Sequence, residues 1–165
     1  MTFSEIASGT RLYIDANIFV YHFTYESDEC VTLLDRCDRR EVNAYTGIHV
    51  LLEVAHRIMT IEAVDKGLVT PSNVPRKLRR RPELVSQLQD HSAAIRYILE
   101  MNIEIMQIDA RILEASANLR ARTGFLVNDS VSLAMMQRHR IPAIATNDRD
   151  FQRIAGLEVH IPDDL

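Results

Sequence analysis

The sequence predicts a three-layer α/β/α domain built on a central parallel sheet, and two observations carry this prediction. Short apolar segments of β-type composition alternate along the chain with longer segments of helical periodicity. This alternation is typical of right-handed βαβ units, which place helices on both faces of a parallel sheet. A chain of 165 residues that is 47% hydrophobic and 25% charged also suits one globular domain, so we expect residues 1–165 to fold as a single unit.

The N-terminal part of the chain supplies the first predicted strands and helices. The run "RLYIDANIFVYHF" (11–23) reads as a buried apolar strand that Asp15 interrupts, and its first four residues are assigned as β-structure. "DECVTLLDRCDRRE" (28–41) has the pattern of an amphipathic helix, and "VNAY" (42–45) that of a strand. A longer helix is predicted over 48–67, where apolar residues recur at i, i+3, i+4 and i+7.

The middle of the chain departs from this alternation. Residues 68–82, "LVTPSNVPRKLRRRP", hold three prolines and a run of basic residues. Prolines at this density interrupt regular structure, so we expect a loop insertion that contains at most a short helical turn. A helix is predicted to follow from Glu83 to about Met101.

The C-terminal part resumes the alternation. "IEIMQI" (103–108) alternates like a strand, and Asp109 is suited to cap the helix "ARILEASANLRART" that follows it. "NDSVSLAMMQRHR" (128–140) is the next predicted helix. The last two strands are predicted at "AIAT" (143–146) and "LEVHI" (157–161).

Asp15 is the residue that links this fold to a function. It directly follows the first predicted strand, among apolar neighbours, where no helix or turn is predicted to require it. A buried carboxylate is costly unless a cation or a hydrogen-bond donor pairs with it. Ligands of open parallel sheets collect at the carboxyl ends of the strands, and Asp148 in "AIATNDRDF" follows a later strand. We therefore expect Asp15 and Asp148 at the same edge of the sheet.

Two further acids are candidates for the same pocket. Glu53 interrupts the apolar pattern of its helix, and Asp129 lies at the start of the apolar helix "NDSVSLAMM". Converging carboxylates repel one another, which raises pKa values or requires a cation. A ligand set of oxygens alone suits Mg²⁺ or Mn²⁺. Such a metal can hold a phosphodiester and activate water for in-line attack, with one carboxylate orienting that water as a general base.

Each acid also has a purely structural interpretation. Asp129 and Asp148 lie where aspartate commonly caps a helix, and the head of Glu53 could reach solvent. Glu53 and His56 have the i, i+3 spacing of di-iron bundles, but the chain has no second such pair. Phosphotransfer enzymes with an aspartate nucleophile share the fold logic and the Mg²⁺ requirement. However, the chain has Asn17 where such a phosphatase needs an aspartate, and it lacks the late lysine of a receiver domain.

These motifs together give the chain a resemblance to PIN-domain proteins, and in particular to VapC-type toxins of toxin–antitoxin pairs. The matching motifs are "YIDANIF", the apolar helix that carries Glu53, "NDSVSLAMM", and "AIATNDRDF" followed by "GLEVHIP". Their order and context match from about residue 11 to residue 162. The insertion at 68–82 is longer than expected of a compact member of this family.

The resemblance implies a Mg²⁺-dependent endoribonuclease with a PIN-like fold, in which Mn²⁺ can replace Mg²⁺. Carried over position by position, the catalytic acids are Asp15, Glu53, Asp129 and Asp148. The metal would be ligated by Asp15, Asp129 and Asp148. The positions that support these acids are Asn17, Thr146 and Asp150.

Three kinds of partner follow from the resemblance: an RNA substrate, a cognate antitoxin and a second copy of the chain. The apolar stretches "LAMMQ" and "VLLEVAHRIM" offer more aliphatic surface than one sheet face must cover, which favours a homodimer with an antitoxin segment in a groove. The run "RKLRRR" is suited to hold a phosphate backbone, so Arg79, Arg80 and Arg81 are predicted to bind RNA. A solvated charged loop is the alternative interpretation.

Composition adds two expectations. The net charge of −4 argues against a general nucleic-acid binder. No apolar run approaches the length of a membrane span and the N-terminus lacks a signal-peptide layout, so we expect a cytoplasmic protein without membrane contact.

The alternative function is a non-catalytic module of the same fold that binds RNA or protein. An internal arginine in the acid pocket would favour that module, whereas bound divalent metal would favour catalysis.

Overall fold

The computed structural model describes all 165 residues, which form five strands and eight α-helices. The strands are β1 (Arg11–Ile14), β2 (Asn43–Gly47), β3 (Ile103–Met106), β4 (Ala143–Ala145) and β5 (Glu158–His160). The helices are α1 (Ala16–Thr24), α2 (Asp28–Asp38), α3 (Ile48–Asp65), α4 (Val74–Arg80), α5 (Pro82–Val85), α6 (Asp90–Glu100), α7 (Ala110–Thr123) and α8 (Val127–His139). Short 3₁₀ helices cover Phe3–Glu5 and Arg149–Arg153.

The strands form one parallel sheet in the order β3-β2-β1-β4-β5, which confirms the predicted three-layer α/β/α class. The chain moves outward from β1 through β2 to β3 and then returns to the other side of β1 with β4. The strand order therefore reverses between β1 and β4, the position where open α/β sheets bind ligands. Register aligns Ile14 with Ala145, so these two strands end side by side.

A cluster of 38 buried apolar residues fills the space between the sheet and its helices. The central strand contributes Leu12, Tyr13 and Ile14, each with no exposed surface. This burial on both faces explains why β1 does not alternate after its exposed first residue, Arg11. None of the helices is long and apolar enough to cross a bilayer.

Helix α1 corrects the prediction of an interrupted strand over residues 11–23. The β-branched and aromatic residues of "NIFVYHF" favour a strand by composition, but contacts with the rest of the fold decide the outcome. Asp15 is the N-cap of α1, since its Oδ1 accepts a hydrogen bond of 2.8 Å from the backbone N–H of Ala16. A helix therefore does require Asp15, contrary to the expectation from sequence.

Residues 68–82 are not a continuous loop. Helix α4 carries Pro75 in its first turn. Backbone N–H groups there have no acceptor within the helix, so the N–H that proline lacks costs no hydrogen bond. Its residues Val74 and Leu78 belong to a second, small apolar cluster that is separate from the main core. The other boundaries agree with prediction to within a few residues, except that the predicted helix from Glu83 to Met101 is divided into α5 and α6.

Glu62 explains why that predicted helix is divided. This side chain of α3 is 3% exposed and accepts hydrogen bonds of 2.9 and 3.0 Å from the backbone N–H groups of Gln89 and Asp90, where α6 begins. Lys66 also bonds it from the next turn of α3. Burial by itself would raise the pKa of Glu62, but these hydrogen bonds outweigh it and lower the pKa. One buried carboxylate thus ties the two ends of the insertion together.

The prediction that "LAMMQ" leaves apolar surface for a dimer is wrong. Every residue from Ser130 to Met136 is buried, because α8 lies between α7 and the sheet. The hydroxyl of Tyr13 on β1 donates a hydrogen bond of 3.2 Å to Ser132 of α8. In "VLLEVAHRIM", Leu52 is the large apolar residue that stays exposed, at 67%.

Candidate active site at the carboxyl edge of the sheet

The candidate site is built where β1 and β4 end beside each other. Asp15 directly follows β1, and its backbone N–H donates a hydrogen bond of 3.1 Å to the carbonyl of Ala145, the last residue of β4. Asp148 follows three residues further on. Asp15 and Asp148 therefore lie at one edge of the sheet, as predicted.

Thr146 connects the two aspartates. Its hydroxyl donates a hydrogen bond of 2.6 Å to Oδ2 of Asp15 and accepts one of 3.0 Å from the backbone N–H of Asp148. Asn17 donates to the same Oδ2 at 2.7 Å and to the Thr146 hydroxyl at 3.2 Å. The amide oxygen of Asn17 accepts in turn from the backbone N–H of Asn147 at 3.0 Å. Two of the three predicted supporting residues, Asn17 and Thr146, thus orient Asp15.

Asp148 and Asp150 occupy the polar turn after β4. Asp148 caps the 3₁₀ helix, since its Oδ1 accepts a hydrogen bond of 2.8 Å from the backbone N–H of Asp150. The capping interpretation is thus correct for Asp148, although its other oxygen makes no hydrogen bond within the chain. The Asp150 carboxylate forms an exposed ion pair with Arg153 at 3.2 Å. Asp150 is therefore the one partly neutralised acid of the group.

Asp129 and Glu53 enter from two helices. Asp129 is the third residue of α8 and does not cap it, because the N-cap residue is Leu126. Glu53 lies in the second turn of α3, and its Oε2 accepts a hydrogen bond of 2.9 Å from the side-chain amide of Asn128. Asn128 was missed by sequence reasoning, although its position directly before Asp129 is the signal that could have found it.

A second bridge joins α3 to α8 on the core side of these acids. Nε2 of His49 lies 2.9 Å from the hydroxyl of Ser132, which Tyr13 also contacts. Burial lowers the pKa of His49, so the ring is neutral at physiological pH. A Cβ atom at Gly47 would lie 2.8 Å from the Tyr13 hydroxyl and closer still to the His49 ring, so any other residue there would displace these two side chains.

Electrostatics link the four acids. Burial raises the pKa of Asp15 to about 6; hydrogen bonds from Thr146 and Ala16 oppose the rise, and the charges of Glu53 and Asp129 add to it. Burial also raises the pKa of Asp129, with further contributions from the charges of Asp148, Glu53 and Asp150. The chain's seven ion pairs include none of Asp15, Glu53, Asp129 and Asp148. The pocket therefore concentrates negative charge that no protein cation neutralises.

The donor chemistry of the pocket fits a hard divalent cation. The acids are neighbours and do not form a closed coordination shell, since no group of three or more His, Cys, Asp or Glu side chains has metal-ligating geometry. Mg²⁺ keeps several water ligands and needs only one or two carboxylates. Oxygen donors alone and uncompensated charge are the features that favour such an ion here.

The predicted RNA-binding arginines lie outside this pocket. Arg79 and Arg80 end α4, Arg81 follows, and all three side chains are exposed. Helix α4 packs against the far end of α3, in the small cluster that includes Ala63. Ten residues of helix separate Ala63 from Glu53, a distance of about 15 Å along the axis.

The fold and the site together define the class of this protein. The sequence matches the PIN domain family over residues 12–157. The chain therefore belongs to the PIN domain family. No curated protein sequence matches it at a significant level.

Solved structures with the same fold include several toxins and toxin–antitoxin complexes. Mycobacterium tuberculosis VapC20, a toxin that cleaves the sarcin–ricin loop, is 16% identical with a TM-score of 0.62, over 90% of this chain and 98% of that one. Rickettsia felis VapBC2, bound to a DNA fragment from its promoter, is 16% identical with a TM-score of 0.60, over 92% and 98% of the two chains. DNA-bound VapBC from Salmonella typhimurium is 13% identical with a TM-score of 0.59, over 92% and 98%. At these identities the similarity shows the fold.

Proposed function

We propose that the protein is a metal-dependent endoribonuclease that hydrolyses RNA phosphodiester bonds in the cytoplasm, as the toxin of a type II toxin–antitoxin pair. The observation that carries the proposal is the acid cluster at the point where the strand order reverses. Thr146 bridges Asp15 and Asp148 there, and Glu53 and Asp129 are close enough to affect the pKa of Asp15. The similarity to VapC structures supports the same function.

The metal would be Mg²⁺ or Mn²⁺, held by Asp15, Asp129 and Asp148, and its chemistry is to polarise the phosphodiester and activate the attacking water. The chain's own contribution is preorganisation. Thr146 and Asn17 hold Oδ2 of Asp15, and the N–H of Ala16 holds Oδ1, so the carboxylate needs no reorientation.

Glu53 is the proposed general base. Asn128 bonds its Oε2 and leaves Oε1 without a partner in the chain, so one oxygen is fixed while the other is available to a water. A base held in this way orients the water for in-line attack and accepts its proton. Asp150, paired with Arg153, is expected to contribute negative charge to the pocket without binding the metal.

The proposed antitoxin site is the groove between α3 and α6. This cavity of about 420 Å³ has apolar walls that include Leu51 and Ile95. Leu52 and Leu99 both border it and are 67% and 57% exposed, so they add to one apolar patch of the kind that marks a protein interaction site. Two of the similar structures are VapBC complexes, which supports a protein partner for this chain.

A second copy of the chain is the other proposed partner. Leu126 and Val127, at the start of α8, are 78% and 59% exposed beside the acid pocket. Contact between two copies there would cover this surface and place two pockets near one another.

The alternative, a non-catalytic RNA- or protein-binding module, would be favoured by an arginine that fills the acid pocket. None of the chain's arginines pairs with Asp15, Glu53, Asp129 or Asp148. The uncompensated carboxylates favour the metal-dependent enzyme.

The experiment is cleavage of structured RNAs by the purified protein with Mg²⁺, with EDTA, and with the Asp15→Asn variant. We expect cleavage only with Mg²⁺ and a loss of more than about 100-fold in the variant, because a metal ligand and its charge are removed. Asp163→Asn, which changes an exposed aspartate outside the pocket, is the matched control and should cleave normally. Equal cleavage by the Asp15→Asn and wild-type proteins would contradict the assignment.

A further inference from the structure

We propose that α3 carries a track for an RNA strand that runs from the acid pocket to a basic cavity in the insertion, so that the substrate extends about five nucleotides beyond the cleaved bond. This inference rests on the proposed ribonuclease function and adds a second, remote binding site to it.

The remote site is a cavity of about 690 Å³ where the end of α3, the loop after it and α4 meet. Val64 of α3 forms one wall and the loop residue Thr70 another. Lys77, Arg80 and Arg81 supply the basic side chains. The cavity therefore has the charge and the shape to receive an anion.

The insertion concentrates positive charge that the protein does not neutralise. Residues 76–81 hold five basic side chains within a chain whose net charge is −4. None of the five takes part in any of the chain's ion pairs. Unpaired cations on a compact element favour a polyanion, and each phosphate neutralised adds salt-dependent affinity.

These basic residues divide into two groups by what they contact. Lys77 bonds Thr70 and donates a hydrogen bond of 3.2 Å to Ser72, and Arg81 donates one of 2.6 Å to the carbonyl of Leu68. These two residues shape the wall of the cavity. The side chains of Arg76, Arg79 and Arg80 make no hydrogen bond within the chain, so their guanidinium groups are free to bind phosphate. Of the predicted RNA-binding residues, Arg81 therefore has a structural role as well.

The surface of α3 connects the two sites. Glu53, Arg57, Thr60 and Val64 lie at i, i+4, i+7 and i+11, which places them within about 60° of one another on a helix of 3.6 residues per turn. Glu53 belongs to the acid pocket and Val64 to the basic cavity. Arg57 lies between them and forms no ion pair. The stripe is about 16 Å long, equal to about five nucleotides at the 3.4 Å rise of a stacked strand.

Another face of α3 is unsuited to RNA. The cavity of about 670 Å³ between α1, α3 and α6 is bordered by the acidic residues Glu26, Asp65 and Asp90. Their charge repels a phosphate backbone. An RNA strand that leaves the acid pocket along α3 is therefore directed along the stripe that contains Arg57 and on to the insertion.

The test is a length series of RNAs that share one cleavage site and carry extensions of zero to ten nucleotides on either side. We expect kcat/KM of the wild-type protein to rise with extension on one side and to level off at about five nucleotides. The double variant Arg57→Ser/Arg80→Ser should lose this dependence on length. It should also reduce the slope of log K against log salt by about 1.4, because two phosphate contacts to a single strand are removed. Arg111→Ser/Arg122→Ser, which removes two exposed arginines without ion pairs, is the matched control and should behave as wild type.

The outcomes separate the two proposals. If the wild-type protein cleaves RNA but the double variant keeps the dependence on length, the track is refuted and the ribonuclease stands. If no RNA is cleaved, the proposed function fails and the track is judged from RNA binding by fluorescence anisotropy. In that case a salt slope unchanged in the double variant refutes the track, and a slope lowered by about 1.4 supports it.

Discussion

At the scale of single residues, Asp15 combines a structural role with a proposed chemical one. The same carboxylate caps α1 and accepts two hydrogen bonds from the neighbouring side chains Asn17 and Thr146. Its pKa in the folded chain is raised to about 6, first by burial, whereas an unfolded aspartate titrates near ~3.9. The ionised form therefore destabilises the fold by at most about 3 kcal/mol, a cost absent below pH ~4 and complete above pH ~6. A bound cation would offset it.

Metal binding should consequently stabilise the protein in a pH-dependent way. At pH 7.5, Mg²⁺ at about ten times its Kd should raise Tm by about 4 °C, because it binds the folded chain alone. At pH 5 the rise should be much smaller, since Asp15 is then protonated and a proton competes with the metal. Thermal shift measurements with and without Mg²⁺ test this expectation. A similar rise at both pH values, or in Asp15→Asn, would refute the role of Asp15, whereas Asp163→Asn should respond like wild type.

At the scale of elements, the insertion between α3 and α6 is a small folded unit. Its apolar cluster of Ala63, Val69, Val74, Leu78 and Leu88 is separate from the main core. A cluster of this size contributes little hydrophobic stabilisation, so the stability of the insertion also depends on a polar anchor. That anchor is Glu62, which holds the start of α6 and Lys66 at once.

Loss of this anchor should release the insertion. Glu62→Ala leaves the N–H groups of Gln89 and Asp90 without their partner, and we expect a loss of about 2–3 kcal/mol in the free energy of unfolding. Hydrogen exchange should accelerate over residues 68–89 before the rest of the chain. Glu83→Ala, at an exposed glutamate of α5, is the control and should change neither quantity.

The same anchor predicts an acid-sensitive insertion. Because the pKa of Glu62 is lowered in the folded chain, its contribution is complete above the unfolded pKa of ~4.3 and is lost as pH falls through the folded value. If the backbone amides of residues 68–89 are equally protected from hydrogen exchange above and below this pH range, the role of Glu62 is contradicted.

The elements that sequence reasoning missed share one cause. Helix α1 has the composition of a strand, and α4 lies in a segment with three prolines, so local signals argued against both. The gap between α5 and α6 has no local signal, because it depends on a carboxylate 27 residues away in α3. Tertiary contacts override local propensity in each case.

At the scale of the whole molecule, charge is segregated by surface. Acids gather at the carboxyl edge of the sheet and around the cavity between α1, α3 and α6, while the insertion gathers unpaired cations. The net charge of −4 averages over these regions, so it is a poor guide to what each surface binds. The apolar groove between α3 and α6 is a third kind of surface, suited to a protein.

Antitoxin binding and RNA cleavage should therefore be separable. Leu52→Ser/Leu99→Ser reduces the apolar border of the groove without adding charge near Glu53, and we expect it to weaken antitoxin binding at least tenfold, by about 1.4 kcal/mol. Inhibition of RNA cleavage by the antitoxin should then require at least tenfold more antitoxin for this variant than for the wild-type protein. Calorimetric titration measures the affinity, and Leu113→Ser, at a leucine of α7 that is 52% exposed, is the control. Unchanged affinity would place the antitoxin elsewhere.

The sequence by itself determined the α/β/α class, the parallel sheet and the identities of the clustered acids. These follow from periodicity and from the rule that ligands collect at the carboxyl ends of parallel strands, both of which are local or topological. Only the tertiary structure decided that Thr146 bridges Asp15 and Asp148, that Asn128 holds Glu53, and that Glu62 divides the insertion from α6. The physical reason is that, apart from the short-range bond between Thr146 and Asp148, these hydrogen bonds join residues 27 to 131 positions apart, whose meeting depends on the packing of whole elements.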